Sequence, residues 1–197
     1  MDTDKHGSDK GKAKLRSEIR SVLKKLPPEH RAVDSLKIRA LLSQQPFWKD
    51  AAAILFFAPL PDEVDVWPLL EEALTTGKTA ALPRFDPQGQ NYVTCRVHDL
   101  RREIVAGQFG IREPGNGCGE IAPHSLDLIL VPGVAFDLAG HRLGRGRGFY
   151  DRLLADARGI KCGMAFDEQI VEAIPVEPLD VRMDFILTPT RLVKVAG

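Results

Sequence analysis

Apolar positions along this chain follow two patterns, one spaced for helices and one run together for buried strands. Leu15, Ile19, Val22, Leu23 and Leu26 recur every three or four residues, the period of one helix face, until Pro27 and Pro28 interrupt the pattern. A second stretch, from about Glu29 to Gln45, carries Val33, Leu36, Ile38, Leu41 and Leu42, and Pro46 closes it. Two amphipathic helices, packed as a pair, are predicted here. Residues 51–58 (AAAILFFA) are continuously apolar and end at Pro59-Leu60-Pro61, as a strand covered on both faces would. A helix over 64–75 should follow, with Val66, Trp67, Leu70 and Leu74 inward and Gly77 as its C-terminal cap. Short strands are predicted over 79–83, 92–97, 126–131, 160–166 and 185–188, with helical segments between several of them, notably 150–157.

Buried strands alternating with helices predict a three-layer α/β/α fold with a mostly parallel central sheet. Ligands of such sheets sit outside the carboxyl ends of the strands, so the loops at 59–65, 83–89, 109–119 and 132–148 can converge on one cleft. A chain of 197 residues, 44% hydrophobic, suffices for one core and is short for two ordinary domains. The expected organisation is a disordered tail over residues 1–11, polar and with nothing to bury, followed by a single domain over 12–197. No internal repeat is evident.

Charge changes the picture mainly by exclusion. Lysine plus arginine and aspartate plus glutamate both number 27, so no net field draws nucleic acid or anionic lipid. No apolar run is long enough to cross a bilayer, and the first residues lack a secretory pattern. A soluble cytoplasmic protein without nucleic-acid or membrane partners is expected, and a monomer, since no heptad stands out. Cys95, Cys118 and Cys162 form no CxxC pair and are read as packing residues. His124 and His141 lack paired ligand spacing and are read as neither metal ligand nor base.

The most informative stretch is 131–154, VPGVAFDLAGHRLGRGRGFYDRLL, directly after a predicted buried strand. Gly140, Gly144, Gly146 and Gly148 permit unusual backbone angles and close ligand approach, while Arg142, Arg145 and Arg147 supply fork-shaped cationic donors. A helix opening near Phe149 adds unpaired N–H groups and a positive dipole end. Together these describe an anion cradle, most simply for phosphates; a solvated basic loop with turn glycines is the alternative. Two standard phosphate motifs fail on spacing. Gly77-Lys78-Thr79 would need a glycine at position 72, which is Glu72, and a GxGxxG beginning at Gly144 would need one at Phe149.

These residues resemble the 5-formyltetrahydrofolate cyclo-ligase family. Its signature PGVAFD followed by G-x-RLGxGxGxYD is similar to 132–137, Gly140 and 142–151 here. In the same order the chain carries K-x-x-LR (Lys12, Leu15, Arg16), the pair Asp62-Glu63, LPR at 82–84, G-I-x-E-P at 110–114 and PVEPxD at 175–180. The resemblance covers roughly 12–190. It implies an ATP- and Mg²⁺-dependent ligase forming a carbon–nitrogen bond. ATP would phosphorylate the formyl oxygen of 5-formyltetrahydrofolate, N10 would attack the activated carbon, and loss of phosphate would leave 5,10-methenyltetrahydrofolate.

By the same resemblance Arg145 and Arg147 are the candidate catalytic residues. With Lys12, Arg16, Arg142, Leu143, Gly144, Gly146, Gly148, Phe149 and Tyr150 they make up the candidate ATP site. Lys12 and Arg16, four apart, share one helix face. Asp151 and Asp184 are the candidate Mg²⁺ ligands, although each carboxylate could instead serve its local helix or strand end. Ala58 (through its backbone), Glu63, Phe109 and Tyr150 are the candidate folate contacts, with Phe57 a weaker aromatic candidate. Two positions depart from the family: Phe149 where tyrosine is common, and Leu179 where many relatives carry a polar or aromatic residue.

Overall fold

The computed structural model describes residues 3–107 and 110–196, with the side chains of 3–9 outside the description. The described residues hold six α-helices, two short 3₁₀ turns (Pro123–Ser125 and Asp167–Gln169) and twelve strands. The helices are α1 (Thr3–Lys25), α2 (Pro28–Ser43), α3 (Pro46–Asp50), α4 (Trp67–Thr75), α5 (Leu100–Glu103) and α6 (Phe149–Ala155). The first strands are β1 (Ala53–Leu55), β2 (Thr79–Asp86), β3 (Asn91–Val97), β4 (Ile104–Ala106), β5 (Arg112–Pro114) and β6 (Leu128–Pro132). The remainder are β7 (Ala135–Asp137), β8 (Arg142–Leu143), β9 (Ile160–Met164), β10 (Ile170–Val171), β11 (Phe185–Leu187) and β12 (Leu192–Lys194).

A seven-stranded sheet in the order β12-β11-β9-β6-β1-β2-β3 forms the middle layer. Its five inner strands are parallel, and β3 and β12 join antiparallel at the edges. Successive strand residues point to opposite faces. Ile54, Leu128, Leu130 and Leu187 therefore pack with Ile19, Leu23, Ile38, Leu42, Leu69 and Leu70 from α1, α2 and α4. Leu55, Ile129, Val131 and Ile186 pack instead with Leu153 and Leu154 of α6. This is the three-layer α/β/α arrangement the strand pattern predicts. Fully burying each such side chain contributes about 1.5–3 kcal/mol, so both strand faces must be apolar.

The parallel strands, numbered by chain order among themselves, run 2-1-3-4-5. The order reverses between β1 and β6, and in such sheets the crevice opens where the strands on either side of the reversal end.

Several boundaries differ from the sequence expectation. Helical backbone in α1 reaches back to Thr3, into the stretch read as a tail, because extending a helix already docked by Ile19 and Leu23 adds a hydrogen bond per residue without a new nucleus. In α2 the face is turned. Val33 and Leu36 are exposed, while Asp34 and Ser35 are buried. Asp34 is paired within the helix with His30 (3.0 Å) and Lys37 (2.9 Å), and Ser35 Oγ accepts from the Asp65 N–H (3.1 Å), which ties down the loop after β1. The first two helices meet through Arg31, which donates to the carbonyls of Leu23 and Leu26 at the end of α1. The ladder of β1 stops at Leu55, yet Phe56, Phe57 and Ala58 stay buried. The hairpin β4–β5, the small sheet β10-β7-β8 and the edge strand β12 were not predicted. Among the described residues no helix is long and apolar enough to cross a membrane.

Candidate active site

The chain segments leaving β1 and β6 part beside the reversal point, and a cavity of about 580 Å³ opens there. Phe57, Ala58, Leu60 and Glu63 line it from the β1 side, and Pro132 and Gly133 from the β6 side. The small sheet aims the next wall. Asp137, 2% exposed, accepts from the N–H groups of Ala139, His141 and Ile174 and lies 2.9 Å from His141 Nδ1. That carboxylate closes the turn leading into β8 and holds the start of the 174–180 segment. His141 is thereby a structural partner.

Every residue from Arg142 to Asp151 lines the cavity, as do Lys12 and Arg16 from α1. The whole candidate ATP set is therefore brought together: Lys12, Arg16, Arg142, Leu143, Gly144, Arg145, Gly146, Arg147, Gly148, Phe149 and Tyr150. Arg16 Nε donates to the Gly144 carbonyl (2.9 Å). Lys12 is buried, with Nζ 2.8 Å from Asp180 Oδ2 and 3.4 Å from Glu177 Oε2. Arg142 Nη2 donates to Asp151 Oδ1 (2.7 Å), while its Nε is buried without a hydrogen-bond partner. An unpaired donor on a buried guanidinium suits an anionic ligand, because leaving it unmatched is costly.

Of the candidate folate contacts, Ala58, Glu63 and Tyr150 line the cavity, and Phe57 with them; Phe109 lies outside the described residues. Burial pushes the Glu63 carboxyl above its ordinary range, and Arg145 offsets this only in part. Burial, with Tyr92 and Glu63 nearby, raises Tyr150 well above its usual value and keeps its hydroxyl a neutral donor.

Phe149, in the family's tyrosine position, packs against Phe85 (5.4 Å between ring centres) and Tyr92 (5.2 Å), beneath the Arg152 guanidinium. Sequence reasoning missed Tyr92, Ile111 and Glu113 as cavity residues. Tyr92 begins a predicted strand and Glu113 lies in the G-I-x-E-P stretch, which was the available signal.

The two candidate metal ligands are not brought together. Asp151 lines the cavity. Asp184 precedes β11 at the opposite, amino edge of the sheet, where its Oδ2 accepts the Lys161 N–H (2.7 Å). Among the described residues no group of three or more His, Cys, Asp or Glu side chains is placed to hold a metal. A cavity carboxylate beside the arginine–glycine loop still fits Mg²⁺, which usually takes one or two protein carboxylates and completes its shell with phosphate oxygens and water. Burial raises the Cys95 thiol to about 11 and the Cys162 thiol to about 12, so both remain protonated packing groups.

Fold and cavity define a doubly wound α/β protein with an arginine- and glycine-lined crevice at its switch point. The model of the 5-formyltetrahydrofolate cyclo-ligase family matches residues 8–189, and the chain belongs to that family. The 5-formyltetrahydrofolate cyclo-ligase of Escherichia coli (strain K12) is 34% identical over 146 residues, covering 72% of this chain and 80% of the relative. That of Mycolicibacterium smegmatis is 32% identical over 194 residues, covering 93% and 96%. The NMR structure of Aquifex aeolicus 5,10-methenyltetrahydrofolate synthetase superimposes with a TM-score of 0.84 at 35% identity, covering 94% of this chain and 93% of that one. A Mycoplasma pneumoniae 5,10-methenyltetrahydrofolate synthetase, 22% identical with a TM-score of 0.73, shares the fold.

Proposed function

We propose that this protein converts 5-formyltetrahydrofolate to 5,10-methenyltetrahydrofolate, using ATP with Mg²⁺ and releasing ADP and inorganic phosphate. One observation carries the reading: the arginine–glycine loop 142–148 and the largely buried side chain of Glu63 face one cavity of about 580 Å³. That size is ordinary for small-molecule sites, and a phosphate cradle opposite a buried acceptor matches an anionic nucleotide beside an N–H-rich pterin.

In this reading the amides of Gly144, Gly146 and Gly148, with Arg145 and Arg147, hold the triphosphate and offset charge on the transferring group. Lys12 and Arg16 approach from α1, Arg142 positions Asp151, and Leu143 and Phe149 are walls. Bound through Asp151 and phosphate oxygens, Mg²⁺ would supply charge neutralisation. Glu63 accepts from pterin N–H groups, the backbone at Ala58 lines the same end, and Tyr150 donates its neutral hydroxyl.

The formyl oxygen takes the γ-phosphoryl group, and the N10 lone pair then closes on the formyl carbon. N10 loses its proton, the carbon–oxygen bond breaks and phosphate leaves. Since N10 is a weakly basic arylamine and the carbon is activated, alignment supplies most of the rate. The test is to mix protein, 5-formyltetrahydrofolate and MgATP and follow the near-ultraviolet band of the methenyl product. Growth of the band with ATP and none without it is expected; a flat trace with ATP present refutes the proposal.

A further inference from the structure

The residue expected to meet phosphate and the residue expected to meet the pterin are bound to each other. Arg145 donates to Glu63 Oε1 from Nε (3.1 Å) and Nη2 (2.9 Å), and Nη2 also donates to Asp62 Oδ1 (2.8 Å). Glu63 is locked for this contact. Its Oε2 accepts the Leu60 N–H (3.0 Å), and its own N–H donates to the Leu60 carbonyl (2.9 Å). Asp62, to which the resemblance gives no role, supplies a second carboxylate to the same guanidinium fork and is more exposed than Glu63.

We propose that Asp62 is a positioning residue which, with Glu63, holds Arg145 in a latch across the cavity, and that opening this latch couples nucleotide binding to folate binding with positive sign. This rests on the nucleotide and folate assignments above. The contacts compete. Phosphate oxygens that take the Nε and Nη2 protons of Arg145 draw them from Glu63, and pterin N–H groups that take the lone pairs of Glu63 Oε1 draw it from Arg145. A nucleotide that arrives first leaves Glu63 without its cation, and a folate that arrives first leaves Arg145 held by Asp62 alone. For Glu63 that is costly, since burial already disfavours its carboxylate. The second ligand meets an opened latch and a group in need of a partner. Its apparent affinity is no longer reduced by the closed population, and linkage makes the gain equal in both directions. Asp62 shifts the balance toward the closed form by sharing Nη2.

Calorimetric titration of the full chain with the Mg²⁺ complex of a non-hydrolysable ATP analogue and with 5-formyltetrahydrofolate tests this. Each ligand is titrated alone and with the other saturating. Each should tighten the other by the same factor, about 5- to 150-fold. Asp62→Asn should bind the analogue about two- to fivefold more tightly alone and lower the coupling factor by a similar ratio. The coupling factor decides. Removing a negative charge near the phosphates changes nucleotide affinity equally with and without folate, and so cancels from it. Asp62→Ser provides a second truncation should the first not fold.

Two ligands that bind independently in the wild-type chain overturn the latch and leave the proposed function standing. Unchanged coupling in both variants overturns the role of Asp62. Failure of either ligand to bind, alone or with the other, overturns the assignments beneath the inference.

Discussion

Arg16, on the first helix, donates through Nε to the carbonyl of Gly144, 128 residues later in the chain, at 2.9 Å. This bond pins the arginine–glycine loop against α1, so α1 acts as one wall of the site. A hydrogen bond to a charged donor is worth about 1.5–3 kcal/mol, and removing it frees the loop proposed to grip the triphosphate. Arg16→Ala should therefore raise the KM for ATP roughly ten- to hundredfold, with a smaller change for 5-formyltetrahydrofolate. Steady-state kinetics with each substrate varied in turn checks it; equal effects on both KM values would contradict it.

Two glycines on either side of Arg142 separate loop function from fold. Gly146 has φ +102° and lines the cavity; a Cβ there would come within 3.6 Å of Arg16 Cζ. Gly140 has φ +90°, and a Cβ there would meet Val195 Cγ1 at 2.8 Å and the Met183 carbonyl at 2.9 Å, away from the cavity. Gly140→Ala carries backbone strain of about 1–3 kcal/mol with overpacking in addition, and should lower the melting temperature by several degrees while leaving both KM values near wild type. Gly146→Ala carries similar backbone strain without the overpacking, so it should shift the melting temperature less and cause a marked loss of kcat/KM for ATP. Melting curves and kinetics on the pair are the check.

Glu63 gives a pH signature. Its folded-state pKa lies above the ordinary 4.5, so between the two values the native state holds more protons than the unfolded one. Its contribution to stability is fully present below the unfolded pKa and is lost as pH rises through the folded pKa. Glu63→Gln keeps an acceptor oxygen for Arg145 and removes this titration. The variant should show a flatter dependence of melting temperature on pH above 4.5, and should bind 5-formyltetrahydrofolate more weakly at neutral pH. A parallel pH dependence in variant and parent would refute the assignment.

Asp151 and Asp184 should respond differently to substitution. Asp151 lines the cavity, so Asp151→Asn should raise the Mg²⁺ concentration needed for half-maximal activity. Asp184 caps the Lys161 N–H at the far edge of the sheet, so Asp184→Asn should cost about 1 kcal/mol of stability or less and leave that Mg²⁺ requirement unchanged. Magnesium titrations of activity, with melting temperatures alongside, separate the two.

Periodicity and motif together determined much of this protein. The alternation of apolar runs and helical stretches specified three layers and a mostly parallel sheet, because a strand that reads as continuously apolar must be covered on both faces. The segment 131–154 specified a glycine-rich loop carrying guanidinium charge, because glycine spacing and fixed guanidinium charge are local properties that survive in any fold. Tertiary structure alone decided which partners those residues take. Nothing local shows that Ser35, rather than Val33 and Leu36, faces inward, since its partner Asp65 arrives across a gap of 30 residues. Nor does spacing reveal that Asp184 lies at the opposite edge of the sheet from Asp151, or that Tyr92 and Glu113 reach the cavity. The pairing of Arg145 with Asp62 and Glu63 joins residues more than 80 positions apart. It exists because the strand order reverses between β1 and β6, which brings the loops after these strands to one crevice.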